Sequence, residues 1–197
     1  MSQIKLIVGL GNPGKQYEST RHNAGFWFID RVIYKYSSEL TRKDRFFGYV
    51  GSATINGTAI HLLKPDTMMN LSGKSVQALA AFYRIEVNEI LVAHDELDIG
   101  YGAIRLKSSG GHGGHNGLRD IVRCIGSNNF HRLRIGIDHP GHASQVTGHV
   151  LSNPGKEEKQ QIESAIELAV EELPNIIDGK FEAAMQRLHT NNLNKRG

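Results

Sequence analysis

One imidazole, one carboxylate and three carboxamides stand where side chains could act on an ester or a peptide. His22 lies in Thr20-Arg21-His22-Asn23, where a polar loop gives way to helical apolar spacing, so the side chain can be both exposed and held. Taken alone, a histidine at a helix start is more often a cap or a surface residue, so its case depends on a partner. Asp95 follows the apolar run 90–93 and so emerges at a strand end, where open α/β sheets build their sites. Its plainer reading is a turn-forming residue. An aspartate that accepts from one imidazole nitrogen fixes the tautomer and leaves the other nitrogen free to take a proton from water. Carboxamides at Asn12, Asn70 and Asn116 can hydrogen-bond an ester or a peptide without adding charge. Asn70 also has the setting of a helix cap.

Other chemistries fit less well. Gly9, Gly11 and Gly14 match the dinucleotide fingerprint formally, but Pro13 removes an N–H and the polar stretch 15–21 precedes any helical periodicity. A tight turn holding Asn12 at the strand end is the expected role. The glycine-rich run Ser108-Ser109-Gly110-Gly111-His112-Gly113-Gly114-His115-Asn116-Gly117 would let a ligand approach the backbone, or serve as a flexible loop. His112 and His115 are three apart, but no familiar third metal ligand accompanies them and HExxH is absent. No G-x-S-x-G elbow occurs, and Cys124 sits in a helical pattern as a core thiol, so no covalent acyl-enzyme is expected.

The elements that must position these groups alternate. Residues 5–8, 90–93, 104–107 and 133–137 read as strands; 73–83 and 117–125 read as helices, as does the pattern Ala24, Phe26, Trp27, Ile29, Val32, Ile33, Tyr36. Residues 46–55 and 58–64 flank Asn56-Gly57, a strong hairpin signal. A hairpin among strand-helix units predicts a single α/β domain, residues 1–189, with a mixed twisted sheet flanked by helices. Residues 138–148 read as a mobile loop. Residues 157–177 and 181–189 read as helices, the first broken or bent at Pro174, and 190–197 as a polar, basic tail.

With 197 residues, 39% hydrophobic and 22% charged, the composition is that of a globular protein rather than a disordered one. No apolar run approaches the roughly 18 residues of a membrane span, and the first residues lack signal-peptide order, so a cytoplasmic protein is expected. Residues 105–134 hold six basic side chains (Arg105, Lys107, Arg119, Arg123, Arg132, Arg134) against Asp120. That concentration predicts a face for a polyanion. The glutamates between 157 and 172 read as a solvated helix face.

Taken together, ordered blocks of the sequence resemble the bacterial peptidyl-tRNA hydrolases. They are Gly9-Leu10-Gly11-Asn12-Pro13-Gly14 with Tyr17 and Thr20-Arg21-His22-Asn23, then Lys64-Pro65, Thr67, Met69-Asn70-Leu71-Ser72-Gly73 and His94-Asp95. Gly113-Gly114-His115-Asn116-Gly117 and Phe130-His131-Arg132-Leu133-Arg134-Ile135-Gly136-Ile137 complete the set. The resemblance implies a monomeric hydrolase, with no metal, organic cofactor or membrane, acting on the ester between a peptide and the 3′ ribose of tRNA. It implies His22 as general base, Asp95 as its orienting partner, and Asn12 beside them. Tyr17, Met69, Asn70 and Asn116 would bind substrate, and Lys107 and Arg134 would hold the phosphate at the tRNA 5′ end. Met68 stands where the family commonly has an aromatic residue, Gly100-Tyr101 where it often has proline, and Asp138 where glycine is usual. Two other classes compete: a non-catalytic RNA-binding module, which need not keep His22 with Asp95, and a nucleotide-dependent oxidoreductase.

Overall fold

A computed structural model describes residues 2–190. Seven strands form one sheet in the order β2-β3-β4-β1-β5-β7-β6: β1 (Leu6–Gly9), β2 (Thr41–Lys43), β3 (Gly48–Ile55), β4 (Thr58–Pro65), β5 (Ile90–Glu96), β6 (Ile104–Ser108) and β7 (His131–Gly136). β4, β1, β5 and β7 run parallel, while β2-β3, β3-β4 and β6-β7 are antiparallel. The sheet is therefore mixed, as the embedded hairpin predicts. Asn56 and Gly57 adopt φ 50° and 76°, the left-handed pair of a tight hairpin turn.

Alternation sorts the apolar side chains into two cores. Ile7, Leu91, Leu133 and Ile135 pack beneath α1 (Ala24–Lys35), α5 (Lys156–Ile177) and α6 (Phe181–Thr190). Leu6, Val8, Leu63 and Val92 pack beneath α2 (Ser72–Tyr83) and α3 (Asn116–Ile125). Strands buried on both faces need continuous apolar runs, which is what residues 6–8 and 90–93 supply. Each fully buried Leu or Ile contributes about 1.5–3 kcal/mol relative to exposure.

Several expectations change. The 138–148 stretch is not a plain loop: a 3-10 turn, Ala143–Gln145, leads into α4 (Val146–Val150). Pro174 does not break α5, because it lies in the last turn of a helix that runs to Ile177. β2 was not expected, since its three residues are polar and exposed. The acidic stretch is not all solvated: Glu172 is 4% exposed and accepts from Asn175 and Arg187. The expected tail falls outside the described residues beyond Thr190. Among the described residues no helix is long and apolar enough to cross a membrane.

Candidate active site

Two parallel neighbours, β1 and β5, end side by side, with Gly9 opposite Ala93. Asn12 follows the first strand and Asp95 lies near the end of the second. A 3-10 turn, Arg21–Asn23, precedes α1 and brings His22 to the same edge. Arg21 anchors that turn: its guanidinium pairs with Glu158 at 2.7 Å and donates to the carbonyls of His149 and Ser152. Asn23, 2% exposed, receives the Asn12 N–H at 2.8 Å and returns Nδ2 to the Asn12 carbonyl at 3.0 Å. Loop and turn are thereby locked together.

His22 Nδ1 lies 2.8 Å from one carboxylate oxygen of Asp95 although the two are 73 residues apart. The other oxygen meets His115 Nε2, also at 2.8 Å. His115 Nδ1 accepts from the N–H groups of Gly117 and Leu118, which caps α3 and fixes its neutral tautomer with the proton on Nε2. Asp95, 3% exposed, is thus an acceptor between two imidazole donors. Burial alone would raise its carboxyl pKa, but the two imidazoles outweigh burial and hold it well below the usual range. Burial likewise pulls the His22 pKa down, while the charge and hydrogen bond of Asp95 bring it above 6.5. With Nδ1–H committed to Asp95, Nε2 of neutral His22 is the basic nitrogen.

A cleft of about 580 Å³ opens over this pair. Asn12, Met69, Asn70 and Asn116 line it beside His22, Asp95 and His115; Val146, Val150 and Leu151 form an apolar wall. Asn12 Oδ1 accepts the Met69 N–H at 2.7 Å, which leaves Nδ2 as its free donor end. Asn70 is exposed and does not cap α2, whose N-cap position is Leu71. Gly117 allows the Met69–Leu71 turn to approach α3, since a Cβ there would lie 2.6 Å from the Met69 sulfur. That approach puts Asn70 and Asn116 on one cleft.

Lys107 and Arg134 lie outside the cleft lining, on β6 at the edge of the sheet and on its inner neighbour β7. Register sets Lys107 opposite Arg132 and Arg105 opposite Arg134, all four on the face away from α5 and α6. Arg134 is paired with Glu96 at 2.8 Å, and Glu96 lines the cleft. Arg132 is 1% exposed and bonds the carbonyls of Gly110 and Asn128 through Nη2, while Nε and Nη1 have no partner among the described residues. Burial and Arg134 lower its pKa to about 10. Tyr17 does not line the cleft.

The glycine loop serves packing. A side chain on Gly9 would strike the Gly25 carbonyl, and no helix begins in the loop, so no pyrophosphate cradle forms. His22, Asp95 and His115 bring potential metal-ligand atoms within 4.8 Å of one another. His22 Nδ1, both Asp95 oxygens and His115 Nε2 are engaged in the two imidazole-carboxylate hydrogen bonds, so a cation ligated by those atoms would have to displace both. His112 does not join them, its Nδ1 accepting the Gly114 N–H. The sequence reading missed His115 as the second partner of Asp95, Asn23 as the lock on Asn12, and the α4 wall. Asn23 and His115 left a signal only as members of the blocks Thr20-Arg21-His22-Asn23 and Gly113-Gly114-His115-Asn116-Gly117.

Comparison with known proteins gives a consistent result. A protein-family model described as "Peptidyl-tRNA hydrolase" matches residues 6–196. A protein of that name from Pectobacterium atrosepticum is 54% identical over 96% of this chain and 97% of its own length. One from Ruthia magnifica is 50% identical over 95% and 98%. The crystal structure of peptidyl-tRNA hydrolase from Acinetobacter baumannii superposes with a TM-score of 0.93 at 50% identity, covering 95% of each chain.

Proposed function

This chain belongs to the peptidyl-tRNA hydrolase family and hydrolyses peptidyl-tRNA, and from that premise we propose that His22, oriented by Asp95, draws the proton from the attacking water. The observation that carries the assignment is the 2.8 Å contact from His22 Nδ1 to a buried carboxylate that His115 holds from its other side. Nε2 of His22 removes a proton as water attacks the ester carbonyl, and the resulting imidazolium is stabilised by Asp95. The developing oxyanion takes the free Asn12 Nδ2. Collapse of the tetrahedral intermediate expels the 3′ oxygen of the ribose, which takes the proton from His22. General-base help is worth roughly 10²–10⁴-fold and a preorganised oxyanion donor about 10²–10³-fold.

Met69, Asn70 and Asn116 line the cleft as the groups that position the substrate. Lys107 and Arg134 lie on the basic strands beside it and hold a phosphate of the acceptor end. The protein acts as a monomer in the cytoplasm, with no resident metal or organic cofactor. His22→Ala tests the reading with N-acetyl-aminoacyl-tRNA in the presence of a chelator. Turnover should fall by at least about 10²-fold while tRNA affinity stays within a few-fold; retained turnover would falsify the assignment of the base.

A further inference from the structure

Beside the catalytic cleft lies a groove of about 600 Å³ that shares Asn12 with it. One wall is α1, through Phe26, Trp27 and Ile33; the opposite wall comes from Leu40 and from Tyr49 of β3, with Pro65 ending β4 nearby. These apolar side chains are not sealed into the core: Phe26, Trp27, Ile33 and Leu40 are half-buried and Tyr49 is 42% exposed. The volume lies within the range of ligand sites, roughly 300–1,000 Å³. Its ionic groups are Glu18, Asp30 and Asp66 against Lys64; Lys64 is paired with Asp30 at 2.7 Å and Asp66 with Arg42 at 2.7 Å. With those pairs made, the lining offers an RNA backbone no unpaired cation, Glu18 adds a negative charge, and the apolar walls suit an uncharged chain.

Strand order says which chain. The basic side chains occupy β7 and β6 at one end of the sheet, the reacting groups follow β1 and β5, and the groove lies toward β4 and β3. A substrate whose RNA rests on the basic strands and whose ester meets His22 has its acyl part directed past Asn12. We infer that this groove binds the peptide portion of the substrate, taking its residues upstream of the ester against Phe26, Trp27 and Tyr49. The inference rests on the catalytic reading above. Aromatic walls offer contact area to many side chains without selecting among them, which suits a peptide of arbitrary sequence.

Trp27 is the sole tryptophan, and its indole N–H donates to the Glu18 carbonyl at 2.8 Å; because its ring also lines a neighbouring groove with Arg31, Tyr34 and Lys159, the response that counts is one that Tyr49→Ala weakens. Free N-acetyl-oligoalanine, an analogue of the released peptide, should change that emission saturably. In kinetics, kcat/KM should rise from N-acetyl-aminoacyl-tRNA to N-acetyl-oligopeptidyl-tRNA, and Tyr49→Ala should reduce the long-to-short ratio by about fivefold to tenfold, the loss of roughly 1 kcal/mol of contact. Tyr49 stands on the strand surface, and a melting curve checks that the variant folds. A silent Trp27 with an unchanged length ratio overturns the groove. Failure of the base assignment looks different: His22→Ala would keep cleaving both substrates, whatever their ratio.

Discussion

The reaction centre and the basic strands solve opposite electrostatic problems. At the centre, Asp95 is buried and both its oxygens are engaged, His115 is pinned at both nitrogens, and Asn12 is fixed through its backbone and Oδ1. On β6 and β7, four cations share one face with Glu96 as the carboxylate that pairs with Arg134, and buried Arg132 keeps two guanidinium nitrogens, Nε and Nη1, without partners among the described residues. Satisfied polar groups hold a geometry; unsatisfied positive charge attracts a ligand but leaves its pose loose. Catalysis therefore belongs to the first region and affinity to the second, and substitutions should separate the two.

The largest effect should come from Asp95→Asn. An amide there presents an N–H toward one imidazole, disturbs the His22 tautomer and removes the charge that stabilises imidazolium, so kcat should fall by about 10²–10⁴-fold. The pH profile gives a second reading. His22 has a raised pKa and must be neutral to work, so kcat/KM should decline as pH falls through a value above 6.5. Without the Asp95 charge only burial remains, and the acid limb should move to lower pH. The same linkage makes the His22–Asp95 pair stabilising below pH 6.5, with that contribution lost as pH rises through the folded pKa. His115→Gln removes one hydrogen bond to a charged group, worth about 1.5–3 kcal/mol, so a loss of about 10- to 100-fold is expected. Wild-type activity in either variant would erase the contrast between the regions.

On the basic strands, Lys107→Gln and Arg134→Gln should weaken tRNA binding and flatten its salt dependence, while kcat at saturation stays near wild type. Each lost phosphate contact lowers the slope of log K against log salt by roughly 0.7–0.9. Arg134 is already shared with Glu96, so its removal should matter less than that of Lys107. Glu96 lines the cleft as well, which makes it the residue through which the two regions touch. An unchanged salt slope in both variants would remove phosphate contact from this face.

The sequence exposed these regions unequally, for physical reasons. Continuous apolar runs and the Asn56-Gly57 turn mark β1, β5 and the β3-β4 hairpin, because burial on both faces and positive φ each restrict residue choice. The basic strands were legible as a charge count, but not the register that sets Lys107 against Arg132. β2 escaped notice because three exposed polar residues pair only through backbone. α4 was hidden because its five residues lie in a stretch rich in glycine and histidine. His115 carried no mark of its role: its spacing from His112 raises a metal reading that lacks a third ligand, whereas its partner is 20 residues back on another element. Contacts made by tertiary packing leave no local period to read.

Asp138 joins the two regions, since it follows β7 and leads into the loop whose α4 walls the cleft. It stands at φ 64°, a left-handed conformation that carries a penalty for residues other than glycine, and its Oδ1 accepts the N–H of His139 at 2.9 Å. Asn and Asp tolerate this conformation better than Ala because a short polar side chain can make that local bond. Asp138→Asn therefore isolates charge: tRNA should bind tighter by less than about twofold at low salt, as expected for one exposed charge, with stability unchanged. Asp138→Ala isolates conformation: roughly 1 kcal/mol is lost, a drop of about 2–4 °C in Tm, with tRNA affinity gaining no more than in the Asn variant. Should the two variants lose Tm equally, the left-handed joint would be held by charge rather than by its local hydrogen bond, and the basic strands would reach further into the cleft wall than their register suggests.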